Sequence, residues 1–285
     1  MRGPLLLLAA LGLFAVLDTN SKLLSGTYPP AEVIAIRHVT LLALLVVLRL
    51  GWTPAQTTLA TRHPGLHLLR AGGMLGSSFG FFLALRSLPL AEAYLVYFTA
   101  PFMTLTLSVL FLGERVPAAA WGWCVVGFGG VLLALFPGLS AGGALSAYLW
   151  ALLGTASYAL VMTINRGLKH ETGFARLVLW SSAPGLLAVL PFAANHWVAP
   201  GLVDFLALAG NGVLSGAATL CLAGAFRAAP ASRLAPLEFS ALAWGLLADF
   251  AVWGVLPGAW TLAGAAVVVL AGLMSQRVTV APGAG

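Results

Sequence analysis

Long apolar runs recur from one end of this 285-residue chain to the other. A helix of about 20 apolar residues crosses the ~30 Å hydrocarbon core of a bilayer. Only 8% of the residues are charged, against about 25% in ordinary soluble domains. No polar segment long enough for a soluble domain remains between the runs, so the chain is predicted to be an all-α integral membrane protein.

Proline, glycine and charged residues divide the chain into ten predicted transmembrane helices. These spans are 4–24, 30–49, 67–87, 91–112, 118–136, 144–165, 174–192, 203–226, 231–253 and 259–275. The N-terminal run imitates a signal peptide, but Asp18 and Lys22 follow it without a small-residue cleavage pattern. It is therefore interpreted as a retained first helix.

Lysine and arginine concentrate at one set of helix ends. With ten spans and the N-terminus inside, the cytoplasmic ends receive Arg2, Arg49, Arg62, Arg70, Arg115, Arg166, Lys169, Arg176, Arg227, Arg233 and Arg277. The opposite ends receive Lys22 and Arg86, and Arg37 lies within a span. Because cations near helix ends are retained in the cytoplasm, both termini are predicted to be cytoplasmic. The net charge of +6 is thereby explained without a nucleic-acid partner.

The two halves of the chain resemble each other at an offset of 141 residues. The matching positions are 84–89 with 225–230, Phe98-Thr99 with Phe239-Ser240, and Gly113 with Gly254. Each half carries five spans, and because five is odd the second half enters the membrane with reversed polarity. Residues 1–140 and 141–285 are thus predicted to form two inverted five-helix repeats, an arrangement typical of secondary transporters.

Two stretches carry a resemblance to a known family. Residues 84–115 read ALRSLPLAEAYLVYFTAPFMTLTLSVLFLGER, and residues 225–254 read AFRAAPASRLAPLEFSALAWGLLADFAVWG. They resemble the drug/metabolite transporter superfamily, in particular its ten-helix EamA-type branch, and the resemblance extends over essentially the whole chain. Val255 departs from the family, which often has glutamate after the position of Gly254, so no general role is assigned to Glu114.

The resemblance implies a multi-pass secondary transporter in a bacterial inner membrane. Asp18, Lys22 and Arg37 lie in a context similar to that of importers of vitamins and nucleoside-like cofactors. Other members of the family export amino acids or aromatic metabolites. The expected partners are a small organic solute and the lipid bilayer, and both a monomer and a homodimer remain open.

Ionisable residues at membrane depth are the first candidates for solute contact, because they are costly unless they face water or a partner. Asp18 and Lys22 are four residues apart, so they are expected to form an ion pair, either at a helix end or at the mouth of a solute cavity. Arg37 suits a carboxylate or phosphate, with structural pairing to Asp18 or Glu32 as the alternative. Glu238 suits proton coupling or recognition of an amine, unless it only stabilises a neighbouring helix.

Aromatic residues supply the remaining candidates. Tyr97, Tyr158 and Trp244 lie deep enough to line a solute cavity, whereas Tyr94, Trp150 and Trp180 are interpreted as interfacial, as aromatic residues near helix ends often are. The alternative for all of them is interfacial anchoring. Asp249 lies near the outer end of its span and is expected to be solvated.

Small residues and prolines predict how the helices pack and bend. Gly72, Gly76 and Gly80 on the third span, and Gly212 and Gly216 on the eighth, have the four-residue spacing of close helix packing. Two further residues, Pro101 and Pro236, are expected to bend the fourth and ninth spans.

The pattern favours transport over catalysis. No phosphate-binding glycine-rich loop is present, so energy would come from an ion or solute gradient. The histidines neither cluster nor pair with carboxylates at useful spacing along the sequence, and Cys124 and Cys221 lack metal-ligand spacing. No catalytic residue, metal or cofactor is therefore expected, and a lipid-modifying enzyme is a remote alternative. The leading hypothesis is export of amino acids or related metabolites, and the alternative is uptake of a vitamin or nucleoside-like cofactor.

Overall fold

A computed structural model describes residues 2–49, 59–113, 116–140, 145–168, 171, 173–229, 234 and 237–280. These residues form eleven helices and no strand. The helices are α1 (Arg2–Leu24), α2 (Pro30–Arg49), α3 (Pro64–Leu85), α4 (Leu90–Tyr97), α5 (Ala100–Leu112), α6 (Ala118–Ser140), α7 (Leu145–Gly167), α8 (Phe174–Asn195), α9 (Leu202–Ala228), α10 (Ser240–Trp253) and α11 (Ala259–Val280). Helices α4 and α5 belong to one span, so the eleven helices correspond to the ten predicted spans, and the all-α prediction is confirmed.

Eight segments are long and apolar enough to cross a membrane, and Ser240–Trp253 and Ala259–Ser275 are shorter apolar helices. Large apolar side chains cover the perimeter, as at Leu110 and Val203, which are 70% and 79% exposed. This perimeter suits lipid rather than water. We call the side where α1 begins and α11 ends the terminal face, and the other side the opposite face. Residues 141–144, at the predicted boundary between repeats, and Pro236 lie outside the described residues.

The fourth span is broken between α4 and α5, where the bend at Pro101 was predicted. Pro101 occupies the first turn of α5 and has no N–H to continue the ladder. The Thr99 N–H instead donates to the Val96 carbonyl, and the Thr99 hydroxyl donates to the same oxygen at 2.7 Å. These local bonds satisfy polar groups that would otherwise be buried without partners in the middle of the bundle.

Helices α5 and α10 end in the same way. Each stops at a glycine in the left-handed conformation, Gly113 and Gly254, both with φ of 65°. The N–H of Gly113 donates back to the Ser108 carbonyl, and that of Gly254 to the carbonyls of Asp249 and Phe250. A side chain with Cβ is disfavoured at such a φ, so glycine serves as the helix stop.

The most extensive helix pairings are α6 with α11, α3 with α7, α1 with α9 and α2 with α8. The α3–α7 pair is held at backbone distance, because a Cβ added at Gly80 would lie 2.6 Å from both the Trp150 carbonyl oxygen and the Gly154 nitrogen. On α9, a Cβ at Gly212 would lie 2.9 Å from the Arg37 carbonyl oxygen of α2.

The predicted packing roles are confirmed for Gly76, Gly80, Gly212 and Gly216, each of which faces a neighbouring helix. The prediction was wrong for Gly72, which is exposed and faces open space. Its neighbour Gly73 takes the packed position, against Val161 of α7. A helix turns by about 100° per residue, so a strict four-residue spacing drifts off the contact face within two turns.

Candidate functional site

Two hydrogen-bonded pairs join four helices inside the bundle. The Tyr94 hydroxyl of α4 donates to Asp18 Oδ2 of α1 at 2.7 Å. The Arg37 guanidinium of α2 donates from Nη2 to the Ser78 hydroxyl of α3 at 2.6 Å. Asp18 and Arg37 attract each other electrostatically, and both side chains stay partly exposed although helices surround them. Exposure at this depth indicates that they face a space among the helices.

Aromatic rings lie beside this charged centre. The rings of Tyr97 and Tyr158 are 4.7 Å apart between centroids, and Phe81 stacks with Tyr94 and meets Tyr97 edge-on at 5.9 Å. Tyr97 and Tyr158 are partly exposed, so their rings form a wall rather than part of the closed core. Such a wall suits the apolar or planar part of a solute.

Glu238 lies within electrostatic range of Tyr97 and Tyr158. Its side chain is partly exposed, and within the described part of the chain its carboxylate forms no hydrogen bond or ion pair. A carboxylate placed this way can accept hydrogen bonds from a solute. Trp244, further along the same span, packs its ring against α1, 3.3 Å from where a Cβ at Gly12 would lie.

The expected ion pair between Asp18 and Lys22 was wrong. Lys22 Nζ lies 3.6 Å from Asp249 Oδ1 and 4.3 Å from the centroid of a Trp253 ring, so the cation points towards α10. Asp18 is instead bound by Tyr94. Tertiary contacts explain why the two residues do not pair. Four-residue spacing puts both side chains on one helix face, but Asp18 is bound by Tyr94 of α4 and Lys22 by Asp249 of α10.

The expectation for Asp249 was also wrong, since this residue is 2% exposed rather than solvated. Its two carboxylate oxygens accept the backbone N–H groups of Leu90 and Ala91 at 3.0 and 2.9 Å. These donors belong to the first turn of α4, where intrahelical partners are missing. A buried carboxylate with two such bonds and Lys22 beside it is fully satisfied.

Of the seven predicted site residues, the structure brings Asp18, Arg37, Tyr97, Tyr158 and Glu238 into one region. Tyr97 connects them, since it lies within electrostatic range of both Asp18 and Glu238. The sixth, Trp244, packs against α1, and the seventh, Lys22, belongs to a separate cluster with Asp249. The sequence did not reveal Ser78, a small polar residue in a glycine-rich helix, and it placed Tyr94 at the interface because of its position near a helix start.

Further contacts tie the loops of the opposite face. The Tyr28 hydroxyl donates to Asp204 Oδ2 at 2.7 Å, and this bond raises the pKa of Tyr28 to about 12, because the neutral phenol is the donor. The Arg86 guanidinium donates to the Tyr28 carbonyl. The carboxylate of the fully buried Glu32 accepts the Val198 N–H at 2.9 Å.

At the terminal face, Glu171 occupies the connection between α7 and α8. It accepts hydrogen bonds from the Thr61 hydroxyl and the Arg62 N–H, and it contacts His67 Nε2 at 3.1 Å. These bonds lower the pKa of Glu171 to about 2, with the Thr61 bond contributing most. Arg176 Nη1 lies 3.8 Å away. A surface cavity of about 570 Å³ opens beside these residues.

Comparison with known proteins places this geometry in context. A solved crystal structure superposes with a TM-score of 0.66 over 97% of both chains at 22% identity, which shows the same fold. The S-adenosylmethionine uptake transporter of Rickettsia bellii is 28% identical over 76% of this chain and 74% of its own. The pseudopaline exporter of Pseudomonas aeruginosa is 27% identical over 96% of both chains. A riboflavin transporter of Rhizobium johnstonii is 32% identical over 80% of this chain and 74% of its own.

The helical fold and these relatives define the protein as a multi-pass membrane transporter, not an enzyme. Residues 1–136 match the EamA-like transporter family. The chain belongs to this family, a branch of the drug/metabolite transporter superfamily, and the expectation drawn from residues 84–115 and 225–254 is confirmed.

Proposed function

We propose that the protein is a secondary transporter that exports amino acids or related zwitterionic metabolites by alternating access. One observation carries the proposal: the cation of Arg37 and the carboxylates of Asp18 and Glu238 line one partly exposed region beside Tyr97 and Tyr158. Arg37 suits the carboxylate of the solute and Glu238 its ammonium group. The tyrosine rings then contact the remaining, less polar part.

Two inverted repeats, residues 1–140 and 141–285, belong to this proposal. The 141-residue offset matches α3 with α9 and α7 with α1. The α3–α7 pairing therefore corresponds to the α9–α1 pairing, and both pairings are extensive. The pairs α2–α8 and α6–α11 map onto themselves. The left-handed glycines that end α5 and α10, Gly113 and Gly254, are also separated by 141 residues. This exchange pattern supports a pair of equivalent halves around the site.

We place the protein in a bacterial inner membrane with the terminal face in the cytoplasm. The concentration of arginine at that face supports the orientation, and the relatives that match are bacterial proteins. Protons are the proposed coupling ion, with Glu238 as the carrier, because its carboxylate faces the space among the helices without a protein partner in the described part of the chain.

A second candidate function is uptake of a vitamin or nucleoside-like cofactor. It is favoured by the names of the relatives, which include transporters of riboflavin and importers of S-adenosylmethionine. S-adenosylmethionine carries an amino-acid group as well as a purine base, so Arg37, Glu238 and the tyrosine wall would serve such a solute too. The two candidates differ in the solute and in the direction of net movement.

Solute counterflow in proteoliposomes tests the proposal. Vesicles loaded with unlabelled amino acids, S-adenosylmethionine or riboflavin are expected to accumulate the labelled solute that the protein exchanges. Arg37→Ala and Glu238→Gln are expected to reduce that exchange by tenfold or more, since each removes a charge-assisted hydrogen bond of about 1.5–3 kcal/mol.

Arg86→Ala is the matched control for the arginine change. Arg86 is exposed in the turn between α3 and α4, where its guanidinium donates to the Tyr28 carbonyl, and its loss is expected to leave exchange within about twofold. Amino-acid exchange at the parent rate by folded, inserted Arg37→Ala and Glu238→Gln proteins would contradict the proposal. Exchange of riboflavin or S-adenosylmethionine alone would favour the second candidate.

A further inference from the structure

The first turn of α4 is capped by a residue from another helix. Position Pro89, just before α4, provides no side-chain bond to the helix start. The buried N–H groups of Leu90 and Ala91, which lack intrahelical partners, are bound instead by the Asp249 carboxylate near the end of α10. A carboxylate there is also favoured by the positive end of the helix dipole. One residue of the second half thus completes a helix of the first half.

Lys22 adds α1 to this junction. Its ammonium group lies 3.6 Å from Asp249 and 4.3 Å from the centroid of a Trp253 ring, so it is held by an ion pair and a cation–π contact. We call Lys22, Asp249 and the Leu90–Ala91 turn the acidic clamp. The clamp joins α1 and α4 to α10 at the opposite face.

Little open space remains beside the acidic clamp. The cavity beside it, lined by Pro89, Glu92, Leu246 and Asp249 among others, measures about 40 Å³. This is room for a few water molecules and too little for an amino acid. Tyr94, one turn beyond the capped turn of α4, binds Asp18, so the clamp and the solute site hold successive turns of the same short helix.

The corresponding positions at the terminal face carry no charge. At the 141-residue offset, Asp249 corresponds to Ser108 and Lys22 to Thr163. Ser108 is fully buried, and the Thr163 hydroxyl donates to the Ala159 carbonyl of its own helix at 2.9 Å. Among the described residues, the Lys22–Asp249 ion pair therefore has no charged counterpart at the matching positions of the terminal face, where Glu171, His67 and Arg176 form a different cluster.

We propose that the acidic clamp is the gate of the opposite face: it holds that face closed, and its release opens the site to that side. The gate rests on the alternating-access transport proposed above. The clamp thereby favours closure of the opposite face in the resting protein, whose cavity of about 570 Å³ lies at the terminal face. Asp249 and Lys22 are positioning residues that act on α4 and α10 and do not contact the solute.

Distances across the gate test this directly. Spin labels are attached at Ser87→Cys, before α4, and Leu256→Cys, after α10, in a protein with Cys124→Ala and Cys221→Ala. Ser87 and Leu256 are both exposed. Double electron–electron resonance in proteoliposomes is expected to show one short-distance population for this parent. Asp249→Asn is expected to add a longer-distance population that the parent lacks.

Lys22→Met keeps the cap of α4 and removes only the cation, so it is expected to shift the distribution in the same direction by a smaller amount. If Asp249→Asn does not fold, the distances measured in Lys22→Met alone test the gate. Glu171→Gln makes the same kind of change as Asp249→Asn at the terminal face and is expected to leave the parent distribution unchanged.

Parent-like distances in folded Asp249→Asn and Lys22→Met would overturn the gate. Where Asp249→Asn does not fold, parent-like distances in Lys22→Met alone would overturn it. An equal distance shift in Glu171→Gln would overturn it as well. Counterflow in the same vesicles separates this result from the proposed function. Exchange by the parent with no distance shift in the variants removes the gate alone. A parent that exchanges no solute removes the transport proposal, while a distance shift in the variants still identifies the clamp as the closure of that face.

Discussion

At the scale of single residues, the central site combines bound and unbound polar groups. Asp18 and Arg37 each hold one protein partner, Tyr94 and Ser78, and a guanidinium has five N–H donors to offer. Burying a polar group in a bilayer without partners is costly, so the protein bonds that are present fix the side chains, and their spare donors and acceptors are the ones that the proposed solute would use. This division between held and free groups is what a binding site requires.

Glu171 provides a pH-dependent prediction at this scale. Its pKa is lowered to about 2 from an ordinary value of 4.5. A lowered pKa means that the ionised carboxylate stabilises the folded protein above about pH 4.5, and that this stabilisation is lost as the pH falls towards 2. Glu171→Gln is therefore expected to lower the thermal unfolding temperature at pH 7, and the difference from the parent should shrink below about pH 4.5.

Thermal unfolding in detergent, followed by intrinsic tryptophan fluorescence, measures both effects. Thr61→Val is the companion variant, since it removes one hydrogen bond to Glu171 while the Arg62 N–H still binds the carboxylate. Its destabilisation should be smaller than that of Glu171→Gln. An unchanged difference between parent and Glu171→Gln from pH 7 down to pH 3 would show that the carboxylate charge does not stabilise the fold.

At the scale of helices, tight packing at glycine yields a second prediction. A Cβ at Gly80 meets backbone atoms of α7 at 2.6 Å, and backbone cannot rotate away as a side chain can. Gly80→Ala is expected to separate α3 from α7 and to cost about 1–3 kcal/mol of stability, the usual range for overpacking.

Gly72→Ala is the matched control, because Gly72 is on the same helix and faces open space. It is expected to be neutral or slightly stabilising, as alanine favours a helix over glycine. Unfolding titrations in mixed micelles compare the two variants with the parent. Equal stabilities of the Gly80→Ala and Gly72→Ala proteins would contradict the close α3–α7 contact.

The helices themselves were predictable because apolar length and Pro/Gly punctuation act locally. Predicted spans 30–49 and 118–136 agree with α2 and α6 at every boundary except the end of α6, which reaches Ser140. The site was predictable only in part. Asp249 binds the start of α4, more than a hundred residues earlier in the chain, and no local pattern records such a contact. Lys22 was misassigned for the same reason: its partner is on α10.

At the scale of the whole molecule, the two halves share a backbone plan but differ in charge. The 141-residue offset relates Tyr97 to Glu238 and Arg37 to Val178, so the site is asymmetric although the helix pairings exchange between halves. In the proposed site, a solute between the halves would meet cation and carboxylate on different helices. In the proposed alternating-access cycle, movement of one half against the other changes the face to which these groups are open.

Accessibility of one site residue from both faces tests this account most directly. Tyr97→Cys, in the protein with Cys124→Ala and Cys221→Ala, is treated with a membrane-impermeant thiol reagent added to either side of oriented vesicles. Alternating access predicts labelling from both faces, with protection by the solute that the parent exchanges. Labelling from one face only, unaffected by any exchanged solute, would contradict it.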